Sequence, residues 1–239
     1  VTVSQPAITL QDAYHGDYRV GTDLQIRCRL VLGGASHGGV DVLLTSSDPD
    51  HLLVSADAGT AGGTTATIHF DDGETSKYFY VQGVSDSVAT GTVETVTVTA
   101  TQALFTSGTM DVEVVPLTYE IRYLEPSTTS LSADDPFRVR SGYVHANGDT
   151  FRLCPASAFG GPLSVTVTSS DSGVGVLTTS GGSAASRTVS IAVNTYDSPN
   201  SVGDGGIAFD PLAEGTTTVL ASSPGSDSAF GTASESVTV

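Results

Sequence analysis

The chain has 239 residues, 26 of them acidic and 9 basic, for a formal charge of −17. That balance makes nucleic acid a poor partner and disfavours anionic membrane surfaces, because both demand clustered Lys and Arg to neutralise phosphate. No run of about 18 apolar residues occurs, so no transmembrane helix is encoded and membrane insertion is not expected.

The length suits two domains of ordinary size. Charged residues make up 15% and hydrophobic residues 38%, with 27 Gly and no Trp. Three readings of the acidity stay open: solubility of a long extracellular chain, binding of divalent cations, or adaptation to strong salt.

In chain order, Val1-Thr2-Val3 precedes Pro6 as Val112-Glu113-Val114-Val115 precedes Pro116, so the opening residues read as the closing strand of a preceding repeat. Leu24-Gln25-Ile26-Arg27-Cys28-Arg29-Leu30 alternates strictly, the signature of a strand with Leu24, Ile26, Cys28 and Leu30 facing a core. Val42–Asp48 ends in Thr-Ser-Ser-Asp and is followed by the apolar Leu52-Leu53-Val54, the pair Gly62-Gly63 and Ala66–Phe70. Ser76–Gln82 and Val93–Val98 alternate again, separated from their neighbours by turns such as Asp71-Asp72-Gly73. The same landmarks then recur in the same order. Val165–Asp171 ends in Thr-Ser-Ser-Asp, and Val174–Leu177, Gly181-Gly182, Thr188–Val193 and Thr216–Ala221 follow. Chance Ser/Thr richness does not preserve order, so the chain reads as two repeats of one module.

Period-two alternation, Val and Thr in abundance, closely spaced turns and no convincing helical segment predict an all-β protein. The expected architecture is two tandem immunoglobulin-like antiparallel β-sandwiches of seven to nine strands each. The first covers 1–115 and the second 127–239. Residues 116–126, with Tyr119, Ile121, Tyr123 and Leu124, read as a short stiff junction.

The stretches Ala66–Gly83 (ATIHFDDGETSKYFYVQG) and Gly91–Val115 (GTVETVTVTATQALFTSGTMDVEVV), together with the Thr-Ser-Ser-Asp strand, resemble bacterial immunoglobulin-like repeats of large extracellular surface proteins. Phe70–Lys77 is similar to the corresponding turn of Calx-beta-type sandwiches, as is Ile207–Thr217 in the second repeat. The resemblance implies an extracellular, non-enzymatic array and carries over no catalytic residue.

Calcium is the sharpest chemical expectation, since a hard cation gathers six to eight oxygens from carboxylates and carbonyls at loops. Asp48 and Asp50, with Asp57 near in sequence, form one candidate group; Asp71, Asp72 and Glu74 form a second; Asp134 and Asp135, with Glu125, form a third. The competing reading is that these are turns whose Asp side chains accept backbone N–H bonds. His15, His37, His51, His69 and His145 are scattered without zinc-type spacing. Cys28 and Cys154 sit in comparable contexts, Ile-Arg-Cys-Arg-Leu and Phe-Arg-Leu-Cys-Pro, and read as lone thiols packed as small hydrophobes. No G-x-S-x-G elbow is present, and no enzyme is expected. Tyr78, Tyr80, Tyr119 and Tyr123 offer stacking surfaces for sugar, or else pack the core and junction.

These observations point to a stalk or spacer segment of a cell-surface or secreted adhesin-like protein that presents a distal domain. Its partners would be neighbouring repeats of the same chain, with a glycan or a cell-surface protein as further partners. The alternative is a carbohydrate-binding or accessory module of a secreted polysaccharide-active enzyme.

Overall fold

The computed structural model describes residues 4–84, 88–89, 91–224, 226–227 and 233–239. Val1-Thr2-Val3, read above as a closing strand, lies outside them. The fold is all-β, with a short 3-10 turn at Val202–Asp204. Two compact units divide the chain: Val1–Val115 with Ser157–Gly160, and Pro116–Ala156 with Gly161–Val239.

The first unit contains β1 (Ile8–Asp12), β2 (Arg19–Gly21), β3 (Gln25–Leu32), β4 (Val40–Ser46), β5 (Leu52–Ser55), β6 (Thr65–Phe70), β7 (Ser76–Gly83), β8 (Glu94–Thr101) and β9 (Gly108–Val115). One sheet runs β1-β3-β7-β5 and the other β2-β9-β8-β4-β6. Taking β1, β3, β4, β5, β7, β8 and β9 as strands A to G gives the immunoglobulin arrangement, A-B-E-D against C-F-G, with β6 added beside β4 and β2 beside β9. The alternation read from Leu24 to Leu30 is met: Leu24, Cys28 and Leu30 are fully buried and Ile26 nearly so, while Arg27 and Arg29 point out. Phe70 and Phe79 are fully buried between the sheets. Burying a side chain of this size contributes about 1.5–3 kcal/mol, which is why period-two patterning sets the register.

The second unit contains β10 (Thr118–Arg122), β11 (Asp135–Val144), β12 (Phe151–Leu153), β13 (Leu163–Ser169), β14 (Gly175–Thr179), β15 (Gly182–Ala184), β16 (Ser186–Ile191), β17 (Ile207–Pro211), β18 (Thr216–Ser222) and β19 (Ser234–Thr238). Its sheets run β10-β11-β17-β14-β15, with β12 on β11, and β16-β13-β18-β19. Strand for strand, β10-β11-β17-β14 repeats β1-β3-β7-β5, and β16-β13-β18-β19 repeats β6-β4-β8-β9. The recurring sequence landmarks therefore fall on equivalent elements. Tyr119, Tyr143, Phe137 and Phe209 fill this second core.

Two features differ from the sequence reading. Pairing is not antiparallel throughout, because β2 lies parallel to β9, with Arg19, Val20 and Gly21 opposite Glu113, Val114 and Val115. The cause is local: the Asp12 carboxylate accepts from the N–H groups of Tyr14, Gly16 and Tyr18 at 2.6, 2.9 and 3.0 Å. That folds residues 13–18 into a turn and delivers β2 to the opposite sheet, where it covers one edge of β9. Residues 116–126 are also more than a junction. They contain β10, paired with β11, and Leu117, Tyr119 and Ile121 are core side chains. Of the apolar positions read as the junction, Tyr119 and Ile121 belong to the second sandwich's own first strand, and Tyr123 and Leu124 follow its end.

Candidate functional site

The acidic turns come first because they carried the calcium expectation. A Ser-Ser-Asp motif begins at the last residue of β4 and of β13, Ser46-Ser47-Asp48 and Ser169-Ser170-Asp171. In both, the second serine bonds twice to the neighbouring strand. Ser47 Oγ accepts from Thr97 N at 3.0 Å and Ser170 Oγ from Thr218 N at 2.9 Å, while the serine N–H groups donate to the carbonyls of the same threonines. Asp48 Oδ1 accepts from Asp50 N at 3.1 Å, and Asp171 Oδ1 from Gly173 N at 2.9 Å. These are Asx turns, in which a carboxylate substitutes for a backbone acceptor two residues away. The recurrence of the motif is explained by how each unit folds. Asp48 also holds His51 Nδ1 at 2.9 Å, and Asp50 is exposed. Asp57 closes its own turn, accepting from Gly59 N and Thr60 Oγ1.

In the second group, Asp72 Oδ1 accepts from Gly38 N at 2.8 Å and His37 N at 3.0 Å, and these two bonds hold its carboxyl below the usual range. Glu74 Oε2 meets Lys77 Nζ at 2.8 Å and accepts from Asp71 N at 2.9 Å, which lowers its carboxyl likewise. Asp71 and Asp41 hold opposite ring nitrogens of His69, at 3.3 Å from Nε2 and 2.7 Å from Nδ1. Carboxylates on opposite sides of an imidazole do not face a common point, so the trio is an ion-pair chain rather than a chelate. In the third group, Asp135 Oδ2 accepts from Glu125 N at 2.8 Å, while exposed Asp134 faces Asp210, whose carboxyl is pushed up by burial and then by the Asp134 charge. Among the described residues, no three His, Cys, Asp or Glu side chains converge in a way that could hold a metal ion.

The cysteines are free and buried, yet not equivalent: Cys28 is central in β3, and Cys154 follows β12. Burial, and then the Asp12 charge, push the Cys28 thiol up, so it stays protonated and is no nucleophile at neutral pH. A groove of about 410 Å³ in the second unit is lined largely by hydroxyls, including Thr128, Thr129, Ser130, Thr216 and Thr238, with Glu214 as its one carboxylate side chain.

The four tyrosines separate by position. Tyr119 is fully buried and donates its hydroxyl to Ser223 Oγ at 2.8 Å. Tyr80 is half-buried, while Tyr78 and Tyr123 are 51% and 64% exposed. The sequence reading missed what stands beside them. Arg27 lies over the Tyr78 ring at 4.5 Å, and Arg122 and Arg138 approach Tyr123 at 5.6 and 5.8 Å. The signal was available: Ile26-Arg27-Cys28-Arg29 and Phe137-Arg138-Val139-Arg140 are one Arg-x-Arg pattern on the equivalent strands β3 and β11.

No family model matches the chain, and no curated protein matches it. Among solved structures, the C-terminal domain of the Streptococcus agalactiae AgI/II polypeptide BspA is similar over 97% of this chain and 100% of that one, at 7% identity and a TM-score of 0.31. A DUF4466 family protein from Parabacteroides merdae is similar over 70% of this chain and 75% of that one, at 9% identity and a TM-score of 0.32. A tetra-tandem repeat in the extending region of a large adhesion protein is similar over 98% of this chain and 48% of that one, at 14% identity and a TM-score of 0.24.

Proposed function

We propose that the chain is a spacer segment of a large extracellular or cell-surface protein, holding a distal domain away from its anchor and performing no catalysis itself. The observation that supports this most is repetition: two units share one strand order, and the sequence they share lies in turns and core strands. Repeating a module whose common residues serve only its own folding adds length and stiffness. It does not duplicate a reaction centre. Neighbouring repeats of the same chain are the partners this role requires.

The role is tested by tethering the protein to a flat surface through one end and measuring layer height by neutron reflectometry, with one or two copies of the 239-residue segment in series. A spacer adds a fixed height per copy, on the order of 30 Å or more per unit, since a ten-residue strand rises about 33 Å. A height that fails to grow with copy number would overturn the proposal.

A further inference from the structure

The outer face of the β1-β3-β7 sheet in the first unit differs from the rest of this acidic chain. Its side chains include Thr9 and Gln11 from β1, Arg27 and Arg29 from β3, and Tyr78 and Tyr80 from β7, with Gln11 opposite Arg29, Arg29 opposite Tyr78 and Arg27 opposite Tyr80. Although 26 of 239 residues are acidic, none of these six is. Arg27 and Arg29 are exposed; one stacks on Tyr78 and the other donates from Nε to Ser76 Oγ at 2.7 Å. Neither forms an ion pair with a carboxylate among the described residues, in a chain with nearly three acids for every base.

The second unit displays what the same arrangement does when it is satisfied internally. On β11, Arg140 meets Glu120 at 3.3 Å and Asp197 at 2.9 Å, Arg138 reaches Asp197 at 3.6 Å, and Tyr196 lies 5.6 Å from the Arg140 guanidinium. There Glu120 occupies the place across from Arg140 that Gln11 occupies across from Arg29. The first unit thus retains the two guanidiniums and the aromatic rings and lacks the carboxylates.

We infer that this face of the first unit is a binding surface for a carboxylate-bearing polysaccharide, a chain of uronic acid type lying across the open sheet. Residues two apart on a strand project about 6.5–7 Å apart on one face, so Arg27 and Arg29 present two forked donors along one line, each matching a carboxylate bidentately. Tyr78, which also carries the Arg27 guanidinium, and half-buried Tyr80 supply aromatic surface against which the apolar faces of sugar rings pack. An extended polymer suits an open sheet face. The acids elsewhere do not prevent it: at physiological ionic strength their repulsion is screened beyond about 8 Å, whereas direct guanidinium–carboxylate contacts persist. This surface goes beyond the spacer role and does not depend on it.

The test is affinity electrophoresis and calorimetry with polygalacturonate, using neutral galactan as the reference polymer. The expected result is retardation by polygalacturonate alone. Arg27→Gln and Arg29→Gln each weaken it about tenfold, the loss of a charge-assisted hydrogen bond, and Tyr78→Ala also weakens it. Lys77→Gln, which changes net charge equally on a residue already paired with Glu74, leaves binding unchanged. Because Arg27 and Arg29 are exposed, melting temperatures of these variants should match that of the parent, which separates lost binding from lost folding. Equal retardation by galactan, no retardation by polygalacturonate, or full binding by the Arg27→Gln/Arg29→Gln double variant would each overturn the assignment. So would sedimentation showing that the parent protein self-associates through these arginines, which would give the face to a second copy.

Discussion

The two Ser-Ser-Asp turns share sequence and strand position but differ at their first serine, and the difference has a measurable consequence. Ser169 Oγ lies 2.7 Å from the Gly175 carbonyl, 2.9 Å from Thr217 Oγ1 and 3.3 Å from the Asp171 carbonyl, and Thr217 Oγ1 in turn accepts from Asp171 N at 2.9 Å. Ser46 Oγ accepts only a 3.3 Å bond from Asp48 N. In the first unit the place of Thr217 is taken by Val96, two residues before Val98, which pairs with Ser46 as Val219 pairs with Ser169. Both serines are buried, so exposure does not separate them. Replacing Ser169 by Ala removes the hydroxyl beside the buried Gly175 carbonyl and one of the partners of the buried Thr217 hydroxyl, a cost of about 1–3 kcal/mol; Ser46→Ala removes one long bond and should cost at most about 0.5–1 kcal/mol. Urea titration followed by far-UV circular dichroism gives the size of each change. Native-state hydrogen exchange read by mass spectrometry places it, with reduced protection in β13 and β18 for Ser169→Ala. Equal losses in the two variants, or a larger loss for Ser46→Ala, would refute the reasoning that this network, rather than the motif as such, sets the stability of the turn.

Gly175 opens β14 where an added Cβ would lie 2.1 Å from Cζ of the fully buried Phe209, so Gly175→Ala should lower stability by about 1–3 kcal/mol in denaturant titration, while Ala at the open turn position Gly73 should cost only its backbone strain. The Asp41 hydrogen bond raises the His69 pKa, and Asp71 adds to it. A raised folded-state pKa contributes stability that is complete below the unfolded histidine value and is lost as pH rises through the folded one. NMR titration should therefore place His69 above an ordinary histidine, and Asp41→Asn should bring it down; an unchanged midpoint in that variant would contradict the pairing. Asp48, Asp71, Asp72, Glu74 and Asp135 already hold backbone N–H groups or basic side chains. Millimolar calcium after chelation should accordingly leave the melting temperature in place, and a rise of many degrees would instead assign cation sites to these turns.

Strand positions were legible in the sequence because each sheet has one buried face, so alternation in segments such as Leu24–Leu30 and Ser76–Gln82 reports register directly. The repeat was legible because its landmarks are turns with fixed chemistry. The parallel β2–β9 pair was not, since it depends on one carboxylate collecting three N–H groups in the turn after β1. Residues 116–126 were misread for a different reason: an apolar strand and an apolar hinge have the same composition, and only the pairing of β10 with β11 distinguishes them. For the acidic groups, two arrangements stayed open in the sequence, cation ligation or turns whose carboxylates accept backbone N–H bonds, because both place Asp and Glu at strand ends. Asp48 accepts from Asp50 N within its own turn, and Asp72 accepts from His37 N and Gly38 N of another loop. The Arg-x-Arg pattern on β3 and β11 escaped notice because aligning Cys28 with Cys154 matched the wrong strands.

Pulling single molecules from their two ends with an atomic force microscope tests most directly the claim that each unit is a self-contained load-bearing sandwich. The account predicts two separate rupture events per molecule, each freeing about 35 nm of chain, the extended length of a unit of roughly 115 residues less its folded span. One rupture releasing the whole chain, or smooth extension without ruptures, would contradict it.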